Sequence, residues 1–209
     1  MITAYSVPTA NGQKIHLALE EAGLEWRYHG VDLPSGEHKS DWFLKLSPLG
    51  KAPVIVDENG PGGAPLVLAE TLAIAEYVAE KAGSDLIARD PRERAEERMW
   101  TAMISSSVAM PFAMQFYATK LAPEPMPAFE AAMVTGCRIA LDAFEARLSD
   151  GRPWLMGERF GIADCLFWPL CATSAQRLEG QLAPYPALKA YEARVRARPA
   201  VQRALAKGA

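Results

Sequence analysis

Along this chain the spacing of apolar residues changes character once, between residues 81 and 91. Before the change, short β-forming runs alternate with helical patterns; after it, nearly every stretch as far as residue 207 repeats at helical spacing. Residues 2–5, 25–31, 54–56 and 66–68 read as strands. Between the first two, residues 12–22 place Ile15, Leu17, Ala18, Leu19 and Ala22 on a half-buried helix face, with Gly23 as the stop. Residues 41–46 form a short helical segment closed by Ser47-Pro48-Leu49-Gly50, and 70–81 return to helical period. Asn59-Gly60-Pro61-Gly62-Gly63 is a turn cluster, so the flanking strands are expected to pair as an antiparallel hairpin. The order is β-α-β, a connection, then β-β-α.

Six such elements bury only a thin core, which favours a second domain. Gly83-Ser84-Asp85 and Arg89-Asp90-Pro91 mark a break. The expected organisation is an α/β domain at 1–82, a linker at 83–90 and an all-helical domain at 91–209. Helices are expected at 91–117, 127–148, 162–178, 187–196 and 200–206.

Composition narrows the function classes. The 209 residues carry 22 basic and 25 acidic side chains, a net charge of −3, and half are apolar. That excludes disorder and a surface built on bulk positive charge for nucleic acid. The longest near-apolar stretch, 165–173, is far short of the about 20 residues a bilayer span needs. The first residues lack the basic and apolar regions of a secretion signal. Cys137, Cys165 and Cys171 are an odd set without metal-ligand spacing, so they read as core packing in a reduced, cytoplasmic protein without a metal centre. His16, His29 and His38 are scattered, and neither Gly-x-Ser-x-Gly, His-Glu-x-x-His nor a phosphate loop is present. Arg92, Arg94 and Arg98 alternate with Glu93, Glu96 and Glu97, the pattern of a solvated helix face.

Four constellations remain, each with a purely structural alternative. Pro8-Thr9-Ala10-Asn11-Gly12-Gln13-Lys14 opens the first helix, where unpaired backbone N–H groups favour an anion. Thr9 and Asn11 add a hydroxyl and an amide, though both are also ordinary capping residues. Gly50-Lys51-Ala52-Pro53-Val54 places a proline at a strand start. A cis bond there would expose the backbone of Ala52, and an ordinary trans start would not. Glu70-Thr71 opens a helix and can cap it, or hold the carboxylate and ammonium of a zwitterion. Finally, Asp164 lies three residues after Gly161, the spacing of a capping box, and is read as nucleating a buried helix.

In this order and spacing the four constellations resemble the cytosolic glutathione transferases over nearly the whole chain. The resemblance rests on 47–54, 70–74 and 157–164, and continues through Tyr185-Pro186-Ala187-Leu188 and Arg196-Ala197-Arg198-Pro199-Ala200. It implies a thioredoxin-like domain followed by a helical domain, and a homodimer. The 8–14 segment is most similar to the Nu class, whose members use glutathione to reduce small disulfides, with modest transfer to electrophiles. The alternative is a catalytically silent scaffold of the same fold used for protein association or stress regulation.

By this resemblance Thr9 and Asn11 contact the glutathione sulfur, with Lys14 completing their motif. Ala52, before a cis Pro53, pairs with the cysteinyl backbone. Glu70 and Thr71 hold the γ-glutamyl end, while Lys51 and His38 approach the glycyl carboxylate. Tyr5 and Ser6 are the rival sulfur donors. The chain departs from the pattern at Ala10, where a proline is common, and at Gly161, where a serine is usual. Residues 129–137 also lack the basic side chain by which a partner's long helix closes the site in relatives. The cosubstrate site is expected between the domains, bordered by Val7, Pro8 and residues 103–117, whose methionines and aromatic rings suit varied shapes.

Magnitudes make thiol activation by neutral donors reasonable. A thiol with a pKa near 8.5 is only about 3% ionised at pH 7. A hydrogen bond to a charged group contributes about 1.5–3 kcal/mol and a helix terminus about 0.3–1 kcal/mol. Together they lower the pKa by roughly 1.3–3 units, and a shift of about two units ionises about three-quarters of the thiol. The chain then needs no nucleophile of its own, consistent with the absence of cysteine from residues 1–136.

Overall fold

The computed structural model describes residues 1–177 and 184–207. Contacts divide the chain into two compact units, Met1–Ile87 together with the segment from Arg196 onward, and Ala88–Val195.

In the first unit, strands β1 (Ile2–Ser6), β2 (Trp26–Gly30), β3 (Val54–Asp57) and β4 (Leu66–Ala69) form one sheet in the order β2-β1-β3-β4. β1 and β2 run parallel, as the intervening helix α1 (Ala10–Glu21) requires. β3 and β4 are the antiparallel hairpin expected from the Gly/Pro cluster, and β3 also pairs antiparallel with β1. This is the thioredoxin-like arrangement.

Alternation along β1 sorts its side chains between two faces. Ile2, Ala4 and Ser6 are buried, the last against His16 of α1, while Tyr5 packs with the opposite cluster of Val7, Val31, Phe43 and Val54. Phe43 belongs to the short helix α2 (Asp41–Leu46), and a 3-10 turn at Glu37–Lys39 leads into it. Helix α3 (Thr71–Ala82) follows β4 and packs against α1. Its Tyr77 and Lys81, one turn apart, bind the buried carboxylate of Asp57 at 2.5 and 2.8 Å.

The C-terminal helix α9 (Pro199–Lys207) packs on α1, so it belongs to the first unit, although the change of periodicity groups it with the other helices. Arg198 grips Glu21 with two bonds of 2.5 and 2.6 Å, Arg203 reaches Glu20, and Lys207 lies over the Trp26 ring.

The second unit is helical, with α4 (Pro91–Met103), α5 (Ala109–Phe116), α6 (Pro127–Leu148), α7 (Ile162–Arg177) and α8 (Pro186–Arg196). A wide π-type turn at Ile104–Val108 interrupts the path expected to be one helix over 91–117, and a second at Tyr117–Leu121 carries it past its expected end. Pro111, which lacks an N–H, follows the first of them. The end at Leu178 of the helix expected over 162–178 lies outside the described residues.

Glu97 corrects the expectation of a fully solvated charged face on α4. It is 0% exposed, held by Arg94 and Arg159 at 2.9 Å each, and accepts a bond from the Ala88 N–H. A buried carboxylate persists only when its oxygens are paired in this way. Asp164 is buried as a capping residue. One oxygen accepts from Gly161 N–H at 2.9 Å, the other from Leu155 N–H at 3.0 Å and the Tyr191 hydroxyl at 3.1 Å. Burial raises its pKa to about 6 against those three bonds. All three cysteines are buried, and none forms a disulfide.

Candidate functional site

Sheet register gathers the candidate residues. Tyr5 on β1 lies opposite Val54 on β3, and Val54 lies opposite Ala69 on β4. The chain therefore leaves β1 toward Thr9, enters β3 from Ala52 and leaves β4 into Glu70 at the same end of the sheet. Three loops that are remote in sequence meet there because antiparallel pairing sets the end of one strand beside the start of the next.

The first loop carries the start of α1. Thr9 is its N-cap, in extended conformation, and its Oγ1 accepts from the Gly12 N–H at a long 3.4 Å. Capping uses an oxygen lone pair, so the hydroxyl proton stays available for donation. Asn11 is exposed, with Oδ1 occupied by the Lys14 ammonium at 2.9 Å. An amide held by its oxygen offers its NH2 group. Gly12 is required here by proximity: a Cβ on it would lie 1.9 Å from the Val7 carbonyl oxygen. Capping and donation are thus compatible at Thr9, two roles that stand as alternatives in the sequence.

Lys14 is not at the surface. It is 1% exposed, and burial lowers its pKa to about 8. Ser6, the rival donor, is also buried, with Oγ 2.6 Å from His16 Nε2. Tyr5 turns to the other face, its ring 4.8 Å from that of His29 and 5.8 Å from that of Trp42.

The second loop contains the Ala52–Pro53 peptide, which is cis. Among the described residues none forms a hydrogen bond with the backbone of Ala52. Ser47 Oγ accepts from Lys51 N–H at 3.1 Å, and the Lys51 side chain is exposed. Lys39 was not singled out from the sequence, yet its ammonium donates to the carbonyls of Leu49 and Gly50 at 3.1 and 3.2 Å. Gly50 is the signal that could have pointed there, since its φ of +58° and the 2.6 Å a Cβ would leave to the His38 carbonyl both demand glycine. His38 itself is half-buried, with its Nδ1 buried and unpartnered among the described residues.

The third loop is the β4–α3 turn. Glu70 has φ +71° and ψ +119°, the one non-glycine residue with positive φ among those described. Such a conformation costs on the order of 1–3 kcal/mol and persists where the surroundings impose it, commonly at ligand sites. Its carboxylate makes no capping bond to α3 and is exposed, and Thr71 follows at the first helical position. The strain has no signature in the sequence.

The loops together present an uncommitted hydroxyl, an amide NH2, a free peptide edge, a carboxylate at a helix start and an ammonium. Their chemistry suits an extended peptide with a thiol, an amino-acid end and a carboxylate end. Among the described residues no group of three His, Cys, Asp or Glu is placed to hold a metal, and no helix is long and apolar enough to cross a membrane. Residues 103–117 belong to the second unit; Met103, Met110, Phe112, Met114, Phe116 and Tyr117 are all at least partly exposed within it.

Residues 10–81 match the family model of the glutathione S-transferase N-terminal domain, and residues 107–199 that of the C-terminal domain. The chain is 40% identical over 210 residues to the disulfide-bond oxidoreductase YfcG of Escherichia coli K12, spanning 99% of this chain and 95% of the relative. A glutathione transferase family member from Pseudomonas fluorescens pf-5, solved with two glutathione bound, is 33% identical. It superposes with a TM-score of 0.92 over 98% of this chain and 92% of that one. A glutathione transferase from Pseudomonas putida, solved with one glutathione disulfide per subunit, is 31% identical. Its TM-score is 0.90, over 98% of this chain and 90% of that one.

Proposed function

The chain belongs to the glutathione S-transferase family, and from that premise we propose that it is a glutathione-dependent enzyme. Its 1–82 domain binds the tripeptide and keeps the thiol ionised, for reduction of small disulfides and for transfer to small electrophiles. The observation that carries the reading is the register Tyr5–Val54–Ala69, which sets the start of α1, the Ala52 peptide and the Glu70–Thr71 turn side by side.

Glutathione would supply the sulfur nucleophile. The chain's own groups do the rest. The Thr9 hydroxyl and the Asn11 NH2 donate to the sulfur beside the positive end of α1, favouring the thiolate over the thiol. The Ala52 backbone takes the cysteinyl unit as a strand would. Glu70 receives the ammonium, and Thr71 with the start of α3 receives the carboxylate of the γ-glutamyl end. Lys51 and His38 serve the glycyl carboxylate, with Lys39 holding the loop that presents them. The relative YfcG, named a disulfide-bond oxidoreductase, favours thiol–disulfide exchange as the principal activity.

The reading includes a homodimer in the cytoplasm. Val67 is 40% exposed on the edge strand β4 and Ile139 is 66% exposed on α6, apolar surface suited to a second copy. Three cysteines outside any disulfide suit a reducing compartment.

The test titrates glutathione thiolate absorbance on the protein and assays hydroxyethyl disulfide reduction. Thr9→Ala and Asn11→Ala should each raise the bound thiol pKa by about 1–2 units, the equivalent of one charged hydrogen bond. If both leave absorbance and turnover unchanged, the assignment of the donors is wrong. Tight binding without reduction or transfer would make the protein a glutathione-binding scaffold.

A further inference from the structure

We infer that Lys14 is a positioning residue of the thiol site, acting through Asn11. This rests on the reading of Asn11 as a sulfur donor. Lys14 and Asn11 are three apart on α1 and so share a face of the helix. The Lys14 side chain runs inward, 1% exposed, and its Nζ donates to Asn11 Oδ1 at 2.9 Å. No carboxylate among the described residues pairs with it.

A buried ammonium without a counter-charge is costly, and a methionine of similar volume would fit a core position better. Burial accordingly brings its pKa down to about 8, which leaves it about 90% protonated at pH 7. The chain thus keeps an uncompensated positive charge directly behind the amide proposed to face the sulfur.

Two effects follow. The bond from Lys14 occupies Oδ1, so the amide cannot rotate to present its oxygen, a repulsive acceptor, to a thiolate. It also polarises the amide: an acceptor bound to a cation makes its own N–H groups stronger donors, as hydrogen bonds in a chain reinforce each other. Both effects act on the thiolate more than on the neutral thiol. They shift its ionisation with little change in the affinity for a ligand lacking the thiol.

The experiment is a double-mutant cycle of Lys14→Met and Asn11→Ala on the full chain, read by thiolate absorbance of bound glutathione and by binding of S-methylglutathione. Lys14→Met should raise the thiol pKa by about half a unit or more, a shift of at least threefold in the ionisation constant. S-methylglutathione affinity should stay within about twofold of wild type. In the Asn11→Ala background the same substitution should add almost nothing, because its route to the sulfur is gone. The melting temperature should be equal or higher, since a buried charge has been removed. Lys14→Gln, which keeps a donor without the charge, gives a second folded variant and should shift the pKa in the same direction. An unchanged thiol pKa in either folded Lys14 variant overturns the inference, as does a full, additive shift in the Asn11→Ala background. If Asn11→Ala alone leaves the pKa unmoved, the donor reading itself falls and this inference with it. If Asn11→Ala shifts it and the Lys14 variants do not, only the inference falls.

Discussion

Ser6 Oγ and His16 Nε2 share a hydrogen bond of 2.6 Å, with both residues wholly buried between β1 and α1. The bond ties the strand end to the helix whose first turn carries Thr9 and Asn11. It also occupies the buried Ser6 hydroxyl, the rival donor to Thr9 and Asn11. Ser6→Ala should therefore cost about 1–3 kcal/mol of stability, because His16 Nε2 is left buried and unpaired. The thiol pKa of bound glutathione should not move. Urea unfolding and thiolate titration check the two halves independently.

His16 also imposes a pH dependence. Burial first, and the nearby Lys207 charge second, lower its pKa from 6.5 to about 4, with Glu20 opposing. Between these values the unfolded chain binds more protons than the folded one, so stability falls as pH drops from about 6.5 toward 4. The full effect amounts to about 3 kcal/mol at most. Asp164, raised to about 6, opposes it: its ionisation costs stability as pH rises from 3.8 to about 6. The difference between wild type and His16→Gln isolates the histidine. Urea midpoints of the variant should fall less steeply on acidification over this window.

Glu70 places binding and stability in opposition. At φ +71° only glycine is unstrained, so Glu70→Gly relieves about 1–3 kcal/mol of strain while loosening the unfolded chain by about 0.5–1 kcal/mol. The variant should melt at a temperature equal to or above wild type, yet bind glutathione at least tenfold more weakly for lack of the carboxylate facing the ammonium. A calorimetric melt and a glutathione titration decide it; loss of stability would mean that the surroundings do not impose the conformation.

Asp164→Ala should be the most damaging of these changes. It leaves the Leu155 and Gly161 N–H groups and the Tyr191 hydroxyl without their acceptor inside the second unit, at about 1–3 kcal/mol for each group left unpaired. Asp164→Asn keeps one of the two accepting oxygens, enough for the Leu155 N–H and the Tyr191 hydroxyl, and should lose less. Refolding yield and urea midpoint report the difference.

Much of this architecture is local and therefore legible in the chain. The segments 41–46 and 127–148 coincide with α2 and α6, and the strands and other helices of the first 82 residues fall within a residue or two of the expected bounds. Periodicity, proline, glycine and capping residues act over a few positions, so they can be read without partners. The capping box at Gly161 and Asp164 is legible for the same reason.

Pairings across long stretches of sequence are not. The inward turn of Glu97 depends on Arg159, and the transfer of α9 to the first unit depends on Glu20 and Glu21. At the site, residue types alone named Thr9, Asn11, Glu70 and Thr71 with capping or binding open at each, and Ala52 with a cis or trans Pro53 peptide left open. Register decided which loops meet, and packing decided that Ser6 is spent on His16 while Lys14 lies behind Asn11. Local order is set by neighbours a turn away and can be read from composition and spacing; orientation, burial and uncompensated charge are properties of the folded surroundings.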